Sequence, residues 1–107
     1  MAEHAPWITY RPELKVLDCT IRDGGLVNDH QFSDETVRAV YETCIAAGID
    51  AMEIGYKNSE RLFPRDQFGD WRHCREEDMR RVVGDHDAES TGLKLVAMAD
   101  AGKSDWK

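Results

Sequence analysis

Three short apolar runs separated by two helical patterns constrain this chain more than any other feature. Leu14 to Leu17, Ala51 to Tyr56 and Leu93 to Met98 read as strands. Ser33 is suited to cap a helix, and Asp34 and Glu35 place negative charge in its first turn, where the helix dipole favours it. Val37, Val40, Tyr41, Cys44 and Ile45 then recur at helical spacing along one stripe, which Gly48 ends. A second helix is predicted over about residues 75–83, acidic first and basic last, closed by Gly84, and Thr91-Gly92 makes a turn before the last strand. Strand, helix, strand, helix, strand with short turns is the pattern of a parallel α/β unit with right-handed crossovers.

Strand polarity has a functional consequence. Arg22 and Asp23, Tyr56 and Lys57, and Asp100 all fall at the C-terminal ends of their strands, the rim where open sheets and barrels bind ligands. Within Leu17-Asp18-Cys19-Thr20-Ile21-Arg22-Asp23-Gly24-Gly25, the first run delivers opposite charges side by side onto paired glycines. Charges at the end of a buried strand are costly unless something binds them, and glycines allow a sharp turn with open space beside them.

Composition narrows the function classes. The 107 residues carry a formal net charge of -7, which argues against a phosphate-tracking surface for nucleic acid. Arg72, Arg75, Arg80 and Arg81 are interleaved with Glu76, Glu77 and Asp78, as on a solvated helix face. There is no membrane-length apolar run and no signal-peptide pattern, so a cytoplasmic protein is expected. Cys19, Cys44 and Cys74 form no metal-binding pattern and are expected to be buried thiols, and His30 and His73 to be ordinary polar residues. Residues 57–74 form a long connection holding Phe63, Phe68 and Trp71, expected to pack as a flap over apolar surface.

Asp18-Cys19-Thr20-Ile21-Arg22-Asp23-Gly24-Gly25 resembles the D-x-T-x-R-D-G signature of a metal-dependent TIM-barrel superfamily. That superfamily includes 3-hydroxy-3-methylglutaryl-CoA lyase, isopropylmalate and homocitrate synthases, and 4-hydroxy-2-oxovalerate aldolase. The likeness extends through Ala47-Gly48-Ile49-Asp50-Ala51-Met52-Glu53-Ile54-Gly55 to Met98-Ala99-Asp100-Ala101-Gly102-Lys103, and the Gly-Gly and Asn28-Asp29-His30-Gln31-Phe32 stretches are similar to the aldolase-like branch. The resemblance implies an α/β fold, the first three parallel strands and two helices of a (β/α)8 barrel over residues 14–107, preceded by an N-terminal arm at 1–13.

It also implies chemistry. Such enzymes make or break a carbon–carbon bond beside a carbonyl, through the enolate of a 2-oxo acid, with Mg²⁺ or Mn²⁺ as Lewis acid. Asp23 matches the metal-ligating aspartate, Arg22 the arginine that steadies the enolate oxygen, and Glu53 a supporting glutamate on the second strand; Asp18 and Thr20 would brace the turn. Two features depart from the pattern. The His-x-His pair that completes the metal site has no counterpart among His4, His30, His73 and His86, and His30 does not align with the base histidine of some aldolases. A complete barrel needs eight strands and roughly 250 residues, so the chain is expected to be an N-terminal portion, completed by the remainder of the barrel or by a homo-oligomer partner. The alternative is a catalytically inactive fragment serving as an assembly or interaction module. An unrelated flavodoxin-like or phosphate-binding module is disfavoured by the lack of a P-loop or G-x-G-x-x-G.

Overall fold

A computed structural model describes residues 11–104; most of the expected arm at 1–13 therefore lies outside the described residues. The architecture is mixed α/β. Strands β1 (Leu17–Asp18), β2 (Ala51–Tyr56) and β3 (Lys94–Met98) form one parallel sheet in the order β1-β2-β3. Between them run a one-turn helix α1 (Thr20–Gly24), a long helix α2 (Asp34–Ala47), helix α3 (Glu76–Val83) and a short α4 (Ala88–Thr91). The turn predicted at Thr91-Gly92 is thus the end of a helical turn, with Gly92 left-handed at φ 74°. No helix among the described residues is long and apolar enough to cross a membrane.

Helix α2 forms where its sequence signals place it. The Ser33 hydroxyl accepts from the Thr36 amide at 3.1 Å, and Gly48 closes the other end at φ 73°, a conformation that glycine adopts without penalty. Val37, Tyr41 and Cys44 are buried against Met52 and Ile54 of β2, with Val40 and Ile45 packed at the margin. Ile21, Trp71, Cys74, Val82 and Leu93 complete the core. A buried aliphatic or aromatic side chain contributes about 1.5–3 kcal/mol, so this stripe is what anchors α2 to the sheet.

The first strand is shorter than predicted. Only Leu17 and Asp18 pair with β2, opposite Ala51 and Met52, and Leu14, Val16 and Leu17 stay largely exposed. Apolar composition marks a segment suited to a strand, but ladder bonds decide its length. Asp50 clamps the entry instead: its carboxylate accepts from the Val16 amide at 2.7 Å, while the Val16 carbonyl accepts from the Asp50 and Ala51 amides.

The long connection after β2 is packed, as expected. Trp71 is 1% exposed within a 3-10 turn over Asp70–Arg72, and Phe63 meets Phe68 edge to face at 5.3 Å. Gly55 permits this, because a Cβ there would collide with the Trp71 carbonyl and the Cys74 sulfur. The charge run on α3 departs from a purely solvated face. Arg80 pairs with Glu76 in solvent, but Arg81 bridges to Asp34 of α2, to Asp70 and to buried Asp78. Arg38 of α2 donates to the Val82 and Arg81 carbonyls, satisfying the open end of α3.

Candidate functional site

The motif residues sit on α1, immediately beyond β1, rather than on the strand itself. Asp18 and Thr20 brace the junction: the Thr20 hydroxyl donates to the Asp18 carboxylate at 2.7 Å, and the Thr20 amide to the same group at 3.2 Å. The paired glycines do not make a sharp turn. Gly24 and Gly25 have ordinary right-handed φ values of -60° and -64°. Gly25 is required for a different reason, since a Cβ there would fall inside the His30 ring.

Arg22 and Glu53 meet across the sheet. The Arg22 Nε donates to Glu53 Oε1 at 2.8 Å, and the Cys19 thiol donates to Glu53 Oε2 at 3.3 Å. The Glu53 side chain is 7% exposed and that of Arg22 19%. Burial by itself would lower the Arg22 pKa, but contacts with Tyr56, Glu53 and Cys19 outweigh it and raise the pKa, so the guanidinium is a permanent charge. The Cys19 thiol is pushed up by burial and by Glu53, which keeps it protonated.

A bulge in β2 explains why Glu53 and Tyr56 both reach Arg22. Glu53 pairs with Val96 and Gly55 with Ala97, so Ile54 is an extra residue against β3. Strict alternation would put residues 53 and 56 on opposite faces; the extra residue brings them to one.

Asp23 points outward. Its side chain is 71% exposed, and its Oδ1 lies 3.7 Å from the Arg22 Nη1. It offers one hard oxygen donor, of the kind Mg²⁺ or Mn²⁺ takes. Among the described residues, no three His, Cys, Asp or Glu side chains converge as a metal-binding group. One carboxylate does not complete a centre for a divalent ion.

Two other rim residues have plain structural roles or none. The Lys57 ammonium donates to the Cys74 carbonyl at 2.7 Å, tying β2 to the connection. Asp100 lies in the turn after β3, where its carbonyl accepts from the Lys103 amide.

The structure adds residues that spacing did not single out. His30, expected to be an ordinary polar residue, is fully buried with φ 58°; its Nε2 lies 3.0 Å from the Arg22 carbonyl and its ring meets Tyr56 edge on. His73, 4% exposed, lies with its Nε2 2.6 Å from the Phe63 carbonyl. Arg72 lies over Tyr56, Phe63 and Phe68, with its Nε donating to Asn58 Oδ1 at 2.8 Å. The one sequence signal for this cluster was an arginine within an aromatic-rich connection. No family profile, curated protein or solved structure matches the chain.

Proposed function

We propose that this chain is the N-terminal, enolate-stabilising part of a divalent-metal-dependent carbon–carbon lyase or synthase acting on a 2-oxo acid. In this reading its sheet is the first three strands of a (β/α)8 barrel. The observation that carries the proposal is the Arg22–Glu53 pair, which joins the helix just beyond β1 to the middle of β2, beside an exposed Asp23 carboxylate. A surface salt bridge would need neither the burial of Glu53 nor the bulge that brings Tyr56 to the same arginine.

In aldol cleavage the electron pair of the breaking carbon–carbon bond comes to rest on the enolate oxygen of the 2-oxo acid. Arg22 holds a fixed positive charge for that oxygen, and its remaining donors are oriented because Glu53 has engaged the Nε. Asp23 supplies one oxygen ligand to Mg²⁺ or Mn²⁺. The described residues do not supply the rest; these come from the remainder of a barrel or from a second copy of the chain.

A second reading, an inactive assembly module, is favoured by the incomplete donor set among the described residues and by exposed apolar side chains, Val16, Leu17 and Val27 among them. Mn²⁺ titration of size-fractionated protein separates the two. The enzymatic reading predicts Mn²⁺ binding that tightens when a 2-oxo acid is added and is lost in Asp23→Asn. Absence of Mn²⁺ binding in every oligomeric fraction supports the assembly module.

A further inference from the structure

Among the described residues, Arg72 is an arginine without an acid. The chain has 21 Asp and Glu against 14 Lys and Arg, and the other arginines of the 57–83 region largely use this excess. Arg65, Arg75, Arg80 and Arg81 each form at least one carboxylate pair. Arg72 is half-buried, yet among the described residues it has no carboxylate within salt-bridge distance. Its guanidinium carbon lies 4.7 Å from the Tyr56 ring centre, 4.2 Å from that of Phe63 and 5.5 Å from that of Phe68. These faces attract a cation but leave its charge unneutralised.

Asn58 fixes the orientation. Its Oδ1 accepts from the Arg72 Nε, which identifies the other end of the amide as the nitrogen. That Nδ2 is buried and has no partner among the described residues, and Asn58 as a whole is only 6% exposed. An unsatisfied buried donor is a cost that packing alone would not retain. The return is a guanidinium held by its Nε and its face, with both Nη groups unbonded to protein among the described residues. A fork held in this way is preorganised for a planar anion, which it can bind through two parallel hydrogen bonds.

Tyr56 connects this cluster to the site. Arg72 covers its ring, and His30, whose Nε2 lies 3.0 Å from the Arg22 carbonyl, meets the same ring edge on. We infer that Arg72, oriented by Asn58, is the receptor for a carboxylate at the far end of the substrate, which makes that substrate a 2-oxo dicarboxylic acid. The inference rests on the proposed function for the 2-oxo end alone; the carboxylate receptor is a property of Arg72 and Asn58.

The test uses the full chain, with amide NMR spectra to verify folding of each variant. Metal-free titration with succinate probes the receptor without the 2-oxo group. Wild type is expected to bind saturably, Arg72→Met to lose roughly tenfold or more in affinity, and Arg72→Lys to lose less, as one charge-assisted contact replaces a fork. Inorganic phosphate competing as well as succinate would overturn the carboxylate assignment. In the presence of Mn²⁺, 2-oxoglutarate should bind more tightly than 2-oxopentanoate, and the difference should vanish in Arg72→Met. Binding of both acids with Mn²⁺, unaffected by Arg72→Met, would overturn the receptor and leave the proposed function standing. Arg72-dependent succinate binding with no response to Mn²⁺ would do the reverse. Asn58→Leu should weaken succinate binding while Arg72→Lys in that background causes little further loss; equal binding by wild type and Asn58→Leu would remove Asn58 from the assignment.

Discussion

The Arg22 guanidinium and the Glu53 carboxylate, 31 residues apart in the chain, meet at 2.8 Å and tie α1 to the second strand. Both are mostly removed from water, so each is the other's main compensation for lost hydration. Glu53→Gln should leave Arg22 undercompensated and lower stability by about 1–3 kcal/mol. In urea denaturation, the double variant Arg22→Met, Glu53→Gln should lose less than the sum of the single losses. Strict additivity would mean that the two groups do not depend on each other.

Gly24 and Gly25 should respond oppositely to alanine. At Gly24 the nearest group is the Phe32 ring at 3.8 Å, an ordinary contact, and helical backbone favours alanine over glycine by up to about 1 kcal/mol. At Gly25 a Cβ overlaps the His30 ring, so Gly25→Ala should cost about 2–4 kcal/mol. Combining Gly25→Ala with His30→Ala should recover part of the loss beyond that of His30→Ala alone. Thermal unfolding of the four variants tests this.

His30 makes stability depend on pH in a defined direction. Burial, and then the neighbouring charges of Arg72 and His73, push its pKa below the ordinary 6.5, against the Arg22 carbonyl and Asp29, which raise it. Below that pH the unfolded chain takes up a proton that the folded chain resists. The contribution is therefore whole above 6.5 and is lost as pH falls from there toward the folded value. The urea midpoint should decline through this window, and the decline should be shallower in His30→Gln.

The thiols should differ in reactivity. Burial pushes Cys74 up to about 12 and also raises Cys44, and both are nearly inaccessible. Cys19 is raised too, but it is only partly covered. In native protein at mildly alkaline pH, a disulfide reagent should modify Cys19 first, with Cys44 and Cys74 reacting on unfolding. Early modification of Cys74 would show that the connection over β2 opens readily.

What could be read in advance follows from how local each signal is. Helix α2 was legible because its cap, its apolar stripe and its terminal glycine lie within one segment. Strand β2 was legible from a bounded apolar run; Arg22, Asp23 and Glu53 were singled out by a motif, and of these the structure brings Arg22 against Glu53 and leaves Asp23 exposed. The extent of β1 was not, since ladder pairing rather than composition limits it. Neither was the Ile54 bulge, which re-aims Tyr56, nor the consecutive left-handed Asp29 and His30 that bury an imidazole behind Arg22. Those depend on contacts between distant segments, such as the His30 carbonyl lying where a side chain on Gly69 would sit. The Arg72 cluster joins residues 56–72 around a single guanidinium, and no periodicity records that.

In the proposed function Asp23 holds a divalent ion beside Arg22. Paramagnetic broadening of the amide NMR signals on adding substoichiometric Mn²⁺ with a 2-oxo acid locates the ion directly. Broadening should begin at residues 22–24 and at Tyr56, and Asp23→Asn should abolish it. Broadening centred on the acidic face of α3 or on Asp85 and Asp87, unchanged in Asp23→Asn, would contradict the proposed function.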